Sequence, residues 1–113
     1  MNQDRLYILW TNADPVTSKL MVMMYAKNSL KNGWWKEVTV IVWGATVQLL
    51  AENKEIQQEF REAAERGVRF EGCIACAQEL NLVGEMEALG VKLRKWGPLL
   101  TELIKNGEHL ITV

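Results

Sequence analysis

Apolar residues occur in five short runs along the chain, and each run predicts a β-strand. The runs are rich in Val, Ile, Leu and aromatic residues, and turn-forming residues bound them. Residues 37–43 are almost continuously β-branched, which is typical of a central strand buried on both faces. The predicted strands are residues 5–10, 37–43, 68–72, 91–96 and 109–113.

Between these strands, apolar residues recur at the three- to four-residue spacing of amphipathic helices. Asp14 suits the N-cap and Pro15 the first position of a helix over residues 15–31. Further helices are predicted over residues 45–51 and 54–66, after Cys73, and from Gly97 to Asn106. Residues 83–89 are predicted to form a turn or a short helix. The side chains predicted to face inward are Leu20, Met23, Met24 and Leu30 in the first helix, Ile56, Phe60, Ala63 and Ala64 in the helix 54–66, and Leu99, Leu100, Leu103 and Ile104 in the last.

Strands and helices alternate along the whole chain, which favours an α/β fold. Parallel strands are joined by right-handed crossovers, so we expect helices on both faces of a mainly parallel, five-stranded sheet. This is a three-layer α/β/α architecture. The length of 113 residues predicts one domain, residues 1–113, around one core.

Composition and charge exclude several classes of protein. Hydrophobic residues make up 49% and charged residues 24% of the chain, the balance of a folded protein rather than a disordered one. The net charge of -1, with basic residues scattered among acids, predicts no nucleic-acid partner. Residues 38–47 form the longest apolar run and are too few to span a membrane. Residues 1–5 lack the basic run of a signal peptide, so we expect a cytoplasmic protein.

The candidate site lies beyond the carboxyl ends of the strands, where open parallel sheets collect ligands and reacting groups. Cys73 follows the third predicted strand and is the strongest nucleophile at these positions. Unpaired backbone N–H groups in the first turn of a helix favour a thiolate. Because Cys73 also follows Gly72 at a strand-to-helix junction, we expect it to be reachable and catalytic. The alternative is a small residue of the core, since free Cys is among the most buried residue types. The ligand-binding candidates at the other strand ends are Asn12, Trp43, Gly44 and Gly97.

Cys76 lies one helical turn after Cys73, on the same helix face. It is a secondary catalytic candidate that resolves a disulfide or persulfide, or alternatively a buried, packed thiol. The chain offers two Cys and one distant residue, His109, so we expect neither a metal site nor another cofactor. Residues 73–76 also lack the aromatic and proline residues of a thioredoxin motif.

The chain is rich in Met and Trp, with five of each. Three of the methionines fall in the first predicted helix, where they indicate adaptable packing or a subunit contact. The pair Trp34-Trp35 suits a subunit interface and the cover of a sheet edge equally well.

The segment Cys73-Ile74-Ala75-Cys76-Ala77-Gln78 resembles the strand-end Cys and Ala-rich helix start of the DsrE/DsrF-like family. Residues 91–100 and the terminal strand are similar to its compact single-domain branch, so the resemblance covers nearly the whole chain. It implies a flavodoxin-like fold and assembly as a homotrimer or homohexamer. In the sulfur-relay members, a Cys here takes sulfur from a donor protein as a persulfide and passes it to an acceptor protein. That role would fall on Cys73, whereas those members usually have Ala where this chain has Cys76.

Three hypotheses for the function follow. The first is a sulfur carrier that acts through Cys73. The second is a non-catalytic, oligomeric module that binds a small ligand or a protein at the strand ends and has inert thiols. The third is a redox switch that forms a disulfide between Cys73 and Cys76.

Overall fold

A computed structural model describes residues 4–113, so residues 1–3 of the predicted domain lie outside the described part. Within it, strands and helices alternate as predicted. The strands are β1 (Arg5–Trp10), β2 (Glu37–Val42), β3 (Arg69–Cys73), β4 (Lys92–Arg94) and β5 (His109–Thr112). The helices are α1 (Pro15–Thr17), a π-helical segment (Ser18–Met23), α2 (Met24–Lys31), α3 (Ala45–Glu52), α4 (Lys54–Glu65), α5 (Ile74–Glu79), α6 (Val83–Leu89) and α7 (Trp96–Lys105).

The five strands form one sheet in the order β4-β3-β2-β1-β5, and every neighbouring pair is parallel. The crossovers from β1 to β4 step in one direction, and the last connection returns β5 to the far side of β1. Right-handed crossovers therefore place the helices before β4 on one face and α7 on the other. The predicted α/β/α fold is confirmed.

The two faces of the sheet have separate cores. On the first face, Ile8, Trp10 and Val40 are fully buried and pack with residues of the π-helical segment, α3 and α4. On the second face, a smaller cluster contains Ile41 and Trp96 and packs against Leu99, Leu100 and Leu103 of α7. The second core therefore depends on one helix, and it lies at the carboxyl end of the central strands.

The first helix does not bury all the residues that its periodicity predicts. Leu20 and Met24 are 51% and 44% exposed, whereas Met23 and Val22 are fully buried. The π-helical segment Ser18–Met23 explains the difference, because each π turn holds more residues than an α turn and rotates the side chains that follow. The prediction that Leu20 and Met24 face inward is wrong.

Two further inward predictions are also wrong. Ile104 is 61% exposed, because α7 faces the sheet through Trp96, Leu99, Leu100 and Leu103 instead. Ala64 is exposed, because the buried stripe of α4 is narrow and consists of Ile56, Phe60 and Ala63.

Candidate functional site

Cys73 is the last residue of β3 and the N-cap of α5, at the strand end where the sequence placed it. Its side chain is 5% exposed and packs in the second-face cluster with Ile41 and Trp96. The expectation that this thiol is reachable is therefore wrong. Helix α7 begins at Trp96, inside the predicted fourth strand, and the indole closes this end of the sheet.

Trp96 also brings an unsatisfied hydrogen-bond donor into this cluster. Its side chain is buried, and its Nε1–H has no partner among residues 4–113. Buried N–H groups normally find an acceptor, so a lone donor in a core requires an explanation. The donor and the Cys73 thiol belong to the same cluster of three buried residues.

Cys76 lies on α5 and is half-buried, so it is the more exposed of the two thiols. This order differs from the sequence expectation, in which Cys73 was the reachable thiol and Cys76 the secondary one. The Cys73 thiol lies close enough to Cys76 to raise its pKa. Cys76 also packs against the apolar clusters on both faces of the sheet, because α5 sits beyond the strand ends, where the two cores meet.

A surface pocket of about 390 Å³ gives access to Cys76. Apart from Glu79 and Gln48, the side chains around it are apolar. Cys73 does not contribute to the wall, so a molecule in the pocket meets Cys76 first. The residues that line the pocket are Gly44, Ala45, Gln48, Cys76, Glu79 and Leu80.

Gly44 connects β2 to α3 and brings its backbone to Cys76. Its dihedral angles are φ 68° and ψ -129°, a combination that side chains other than glycine rarely adopt. In this conformation the backbone N–H of Gly44 lies close enough to Cys76 to lower the pKa of its thiol. Gly44, a ligand-binding candidate from the sequence, therefore lies beside Cys76.

The surroundings of Cys76 favour the neutral thiol. Burial raises its pKa, and the neighbouring thiol of Cys73 raises it further, whereas the N–H of Gly44 lowers it. The balance is a pKa above the ordinary value for cysteine. At neutral pH the accessible sulfur is therefore mostly protonated, and its nucleophilic fraction increases with pH.

The DsrE/DsrF-like family model matches residues 6–113. The chain belongs to this family. Its fold is also that of a solved structure, a conserved protein of unknown function from Bacteroides thetaiotaomicron, with a TM-score of 0.94 and 38% sequence identity. The match covers 97% of this chain and 95% of that chain. A comparison with curated proteins found no match to the chain.

The other predicted site residues do not share one location in this DsrE/DsrF-like protein. Only Gly44 lines the Cys76 pocket. Trp43 packs against the Cys73 cluster instead. Asn12 is exposed and accepts hydrogen bonds within its own turn, and Gly97 lies in α7, where its carbonyl accepts from Thr101. Binding roles for Asn12, Trp43 and Gly97 stay predictions.

Sequence reasoning missed the remaining wall of the pocket. Ala45 and Gln48 lie one turn apart on α3, and Glu79 and Leu80 follow Cys76 at the end of α5. Their spacing from Gly44 and from Cys76 was visible in the sequence. What was missing was the placement of α3 and α5 around the same pocket, which neither helix specifies alone.

The described part of the chain also bears on metal and membrane binding. Within residues 4–113, no three His, Cys, Asp or Glu side chains are grouped so that they would hold a metal ion. None of the helices in this range has the length and apolar character needed to cross a bilayer.

Proposed function

We propose that this protein is a sulfur-relay protein that stores sulfur as a persulfide on Cys73 and exchanges it through Cys76. The observation that carries the proposal is the contact between a buried thiol and a second thiol that lines a surface pocket. Membership of the DsrE/DsrF-like family supports it, because a strand-end cysteine carries sulfur in the relay members.

Sulfur is loaded in two exchanges. The Cys76 thiolate attacks the outer sulfur of a donor persulfide, the donor's S–S bond breaks, and the departing donor thiolate takes up the proton that Cys76 lost. The Cys73 thiolate then attacks the outer sulfur on Cys76, which becomes a thiol again as it receives the proton from Cys73. Each exchange breaks one S–S bond and forms another, so no external oxidant or reductant is consumed.

Burial makes Cys73 a suitable store. A persulfide there is shielded from solvent thiols and oxidants by Trp96 and by α7. The unpartnered Nε1–H of Trp96 is a donor available to an anionic sulfur in the same cluster. Release reverses the loading: the sulfur returns to Cys76, and an acceptor thiolate removes it.

Mass spectrometry of the protein after treatment with cysteine persulfide tests this function. We expect one added sulfur on Cys73 in the wild type, slower loading of Cys73 in Cys76→Ser, and a short-lived adduct on Cys76 in Cys73→Ser. The double variant is the matched control. Absence of added sulfur in the wild type, or equal labelling of the double variant, would contradict the proposal.

The thiol contact also favours a second candidate, a disulfide switch. Oxidation of the pair would form an intramolecular disulfide between Cys73 and Cys76, with a reduction potential in the physiological range. The same mass spectra separate the two functions, because the switch loses two hydrogens and gains no sulfur. If iodoacetamide labels neither cysteine of the native protein even at a pH above the usual pKa range of cysteine, the remaining hypothesis is a binding module with inert thiols.

We further propose that the protein works in the cytoplasm as a homotrimer or homohexamer, between a donor and an acceptor protein. A reducing compartment would keep both cysteines free. Val16, Leu20, Met24 and Trp34 are exposed apolar side chains that an assembly would cover. Light scattering after size-exclusion chromatography measures the state directly, and a monomer at micromolar concentration would refute the assembly.

A further inference from the structure

A second pocket of about 380 Å³ adjoins the Cys76 pocket, and the two share Ala45 and Gln48 of α3. We call the combined surface the Cys76 groove. Besides the residues of the first pocket, it is lined by Ala13, Leu49, Glu52 and Asn53.

The groove has an apolar surface and acidic flanks. Leu80 is 38% exposed at the Cys76 end, and Leu49 contributes a second apolar side chain at the other end. Glu79 and Glu52 are exposed, one in each half. Neither half is lined by Lys or Arg, so the local charge is negative although the net charge of the chain is only -1.

We propose that the Cys76 groove docks the sulfur-exchanging segment of a partner protein, and that apolar and basic residues flank the cysteine of that segment. The proposal rests on the sulfur-relay function. An apolar side chain of the partner would pack on Leu80, while its Lys or Arg residues pair with Glu52 and Glu79. An open groove along two helices suits an extended segment better than a small molecule enclosed on all sides.

The same charges disfavour anionic donors of low molecular weight. A carboxylate-bearing persulfide would approach Cys76 between Glu52 and Glu79, and like charges in the encounter slow association. A basic protein segment has the complementary sign. Charge therefore selects the class of partner, and the apolar surface fixes its position.

Two synthetic peptides test the proposal. Each has one cysteine beside a leucine, and the flanking residues are lysines in one peptide and glutamates in the other. The persulfide-loaded protein is mixed with each, and sulfur transfer is followed by mass spectrometry. We expect the lysine peptide to react about three- to tenfold faster at low salt, because each exposed ion pair contributes about a twofold to fivefold effect. The difference should shrink as salt rises.

Charge-neutral variants locate the effect. In a Glu52→Gln, Glu79→Gln double variant we expect the preference for the lysine peptide to fall close to one. Glu65→Gln is the matched control, since Glu65 is exposed on α4 and does not line the groove. Equal rates for the two peptides, or a preference that survives in the double variant, would overturn the proposal.

A binding measurement tests the docking proposal separately from the sulfur-relay function on which it rests. Fluorescence anisotropy with labelled peptides that carry serine instead of cysteine reports docking without any sulfur transfer. If the lysine peptide binds through Glu52 and Glu79 but no sulfur is transferred, the docking proposal is supported and the sulfur-relay function is refuted. If the protein accepts sulfur but neither peptide is preferred, the sulfur-relay function is supported and the docking proposal is refuted.

Discussion

The backbone conformation of Gly44, beside Cys76, allows a direct test of whether this position requires glycine. In Gly44→Ala, a methyl group occupies a residue with φ 68° and ψ -129°, where side chains are strained. An added Cβ would meet no other atom within 4 Å, so the backbone strain is the whole steric effect. We expect the variant to lose about 1–3 kcal/mol of unfolding free energy, the typical cost of such a conformation.

Urea unfolding measures that loss. With a denaturant dependence of about 1–3 kcal/mol/M, the midpoint should fall by on the order of 1 M. Gly84→Ala is the matched control: Gly84 lies within α6 and its added Cβ also meets nothing, but its φ is not positive. There alanine should stabilise the helix by up to about 1 kcal/mol. Effects of the same sign at both positions would refute the strain argument.

Three other predictions concern the surroundings of the site. Gly72→Ala should destabilise the protein by about 1–2 kcal/mol in urea unfolding, because its Cβ would lie 3.1 Å from Cγ1 of Val91, a stiff β-branched side chain. Ser18→Ala should cost about 1–3 kcal/mol in thermal unfolding, because it removes the acceptor, at 3.0 Å, of the buried Trp10 Nε1–H. Alkylation of Cys76 by iodoacetamide should reach half its maximal rate above the usual pH range of cysteine, because only the thiolate reacts and burial raises its pKa. If the alkylation rate reaches half its maximum at a pH within or below that range, the claim that burial raises the pKa of Cys76 is refuted.

Local pattern was enough to predict the elements and the fold class. The β-branched run of β2 indicated a central strand, and β2 does lie between β1 and β3. Its residues are buried because both faces of the sheet carry a core, and a strand buried on both faces has a continuous run of apolar residues that can be recognised in the sequence. The order of the strands cannot be recognised in this way, because β5 could form either edge strand of the sheet with the same local sequence.

The exposure of the two thiols could not be predicted from local pattern. Cys73 is buried because Trp96, far away in sequence, starts a helix over the same face of the sheet. Leu20 is exposed because a π-helical segment changes the phase of its helix, while the sequence pattern fits an ordinary α-helix. In both cases contacts between distant segments, rather than the periodicity of one segment, determine which side chain is covered.

The positions of the two cysteines relative to the sheet explain their separate environments. Side chains alternate across a strand, so Cys73 at the end of β3 points into the core beneath α7, away from the face of Gly72. Cys76 lies on a helix beyond the strand ends and contacts both cores, so one side of it meets Cys73 and another side meets the groove. Here the strand-to-helix junction falls at Cys73, which makes one thiol internal and the other external, the arrangement on which the proposed storage and exchange of sulfur rest.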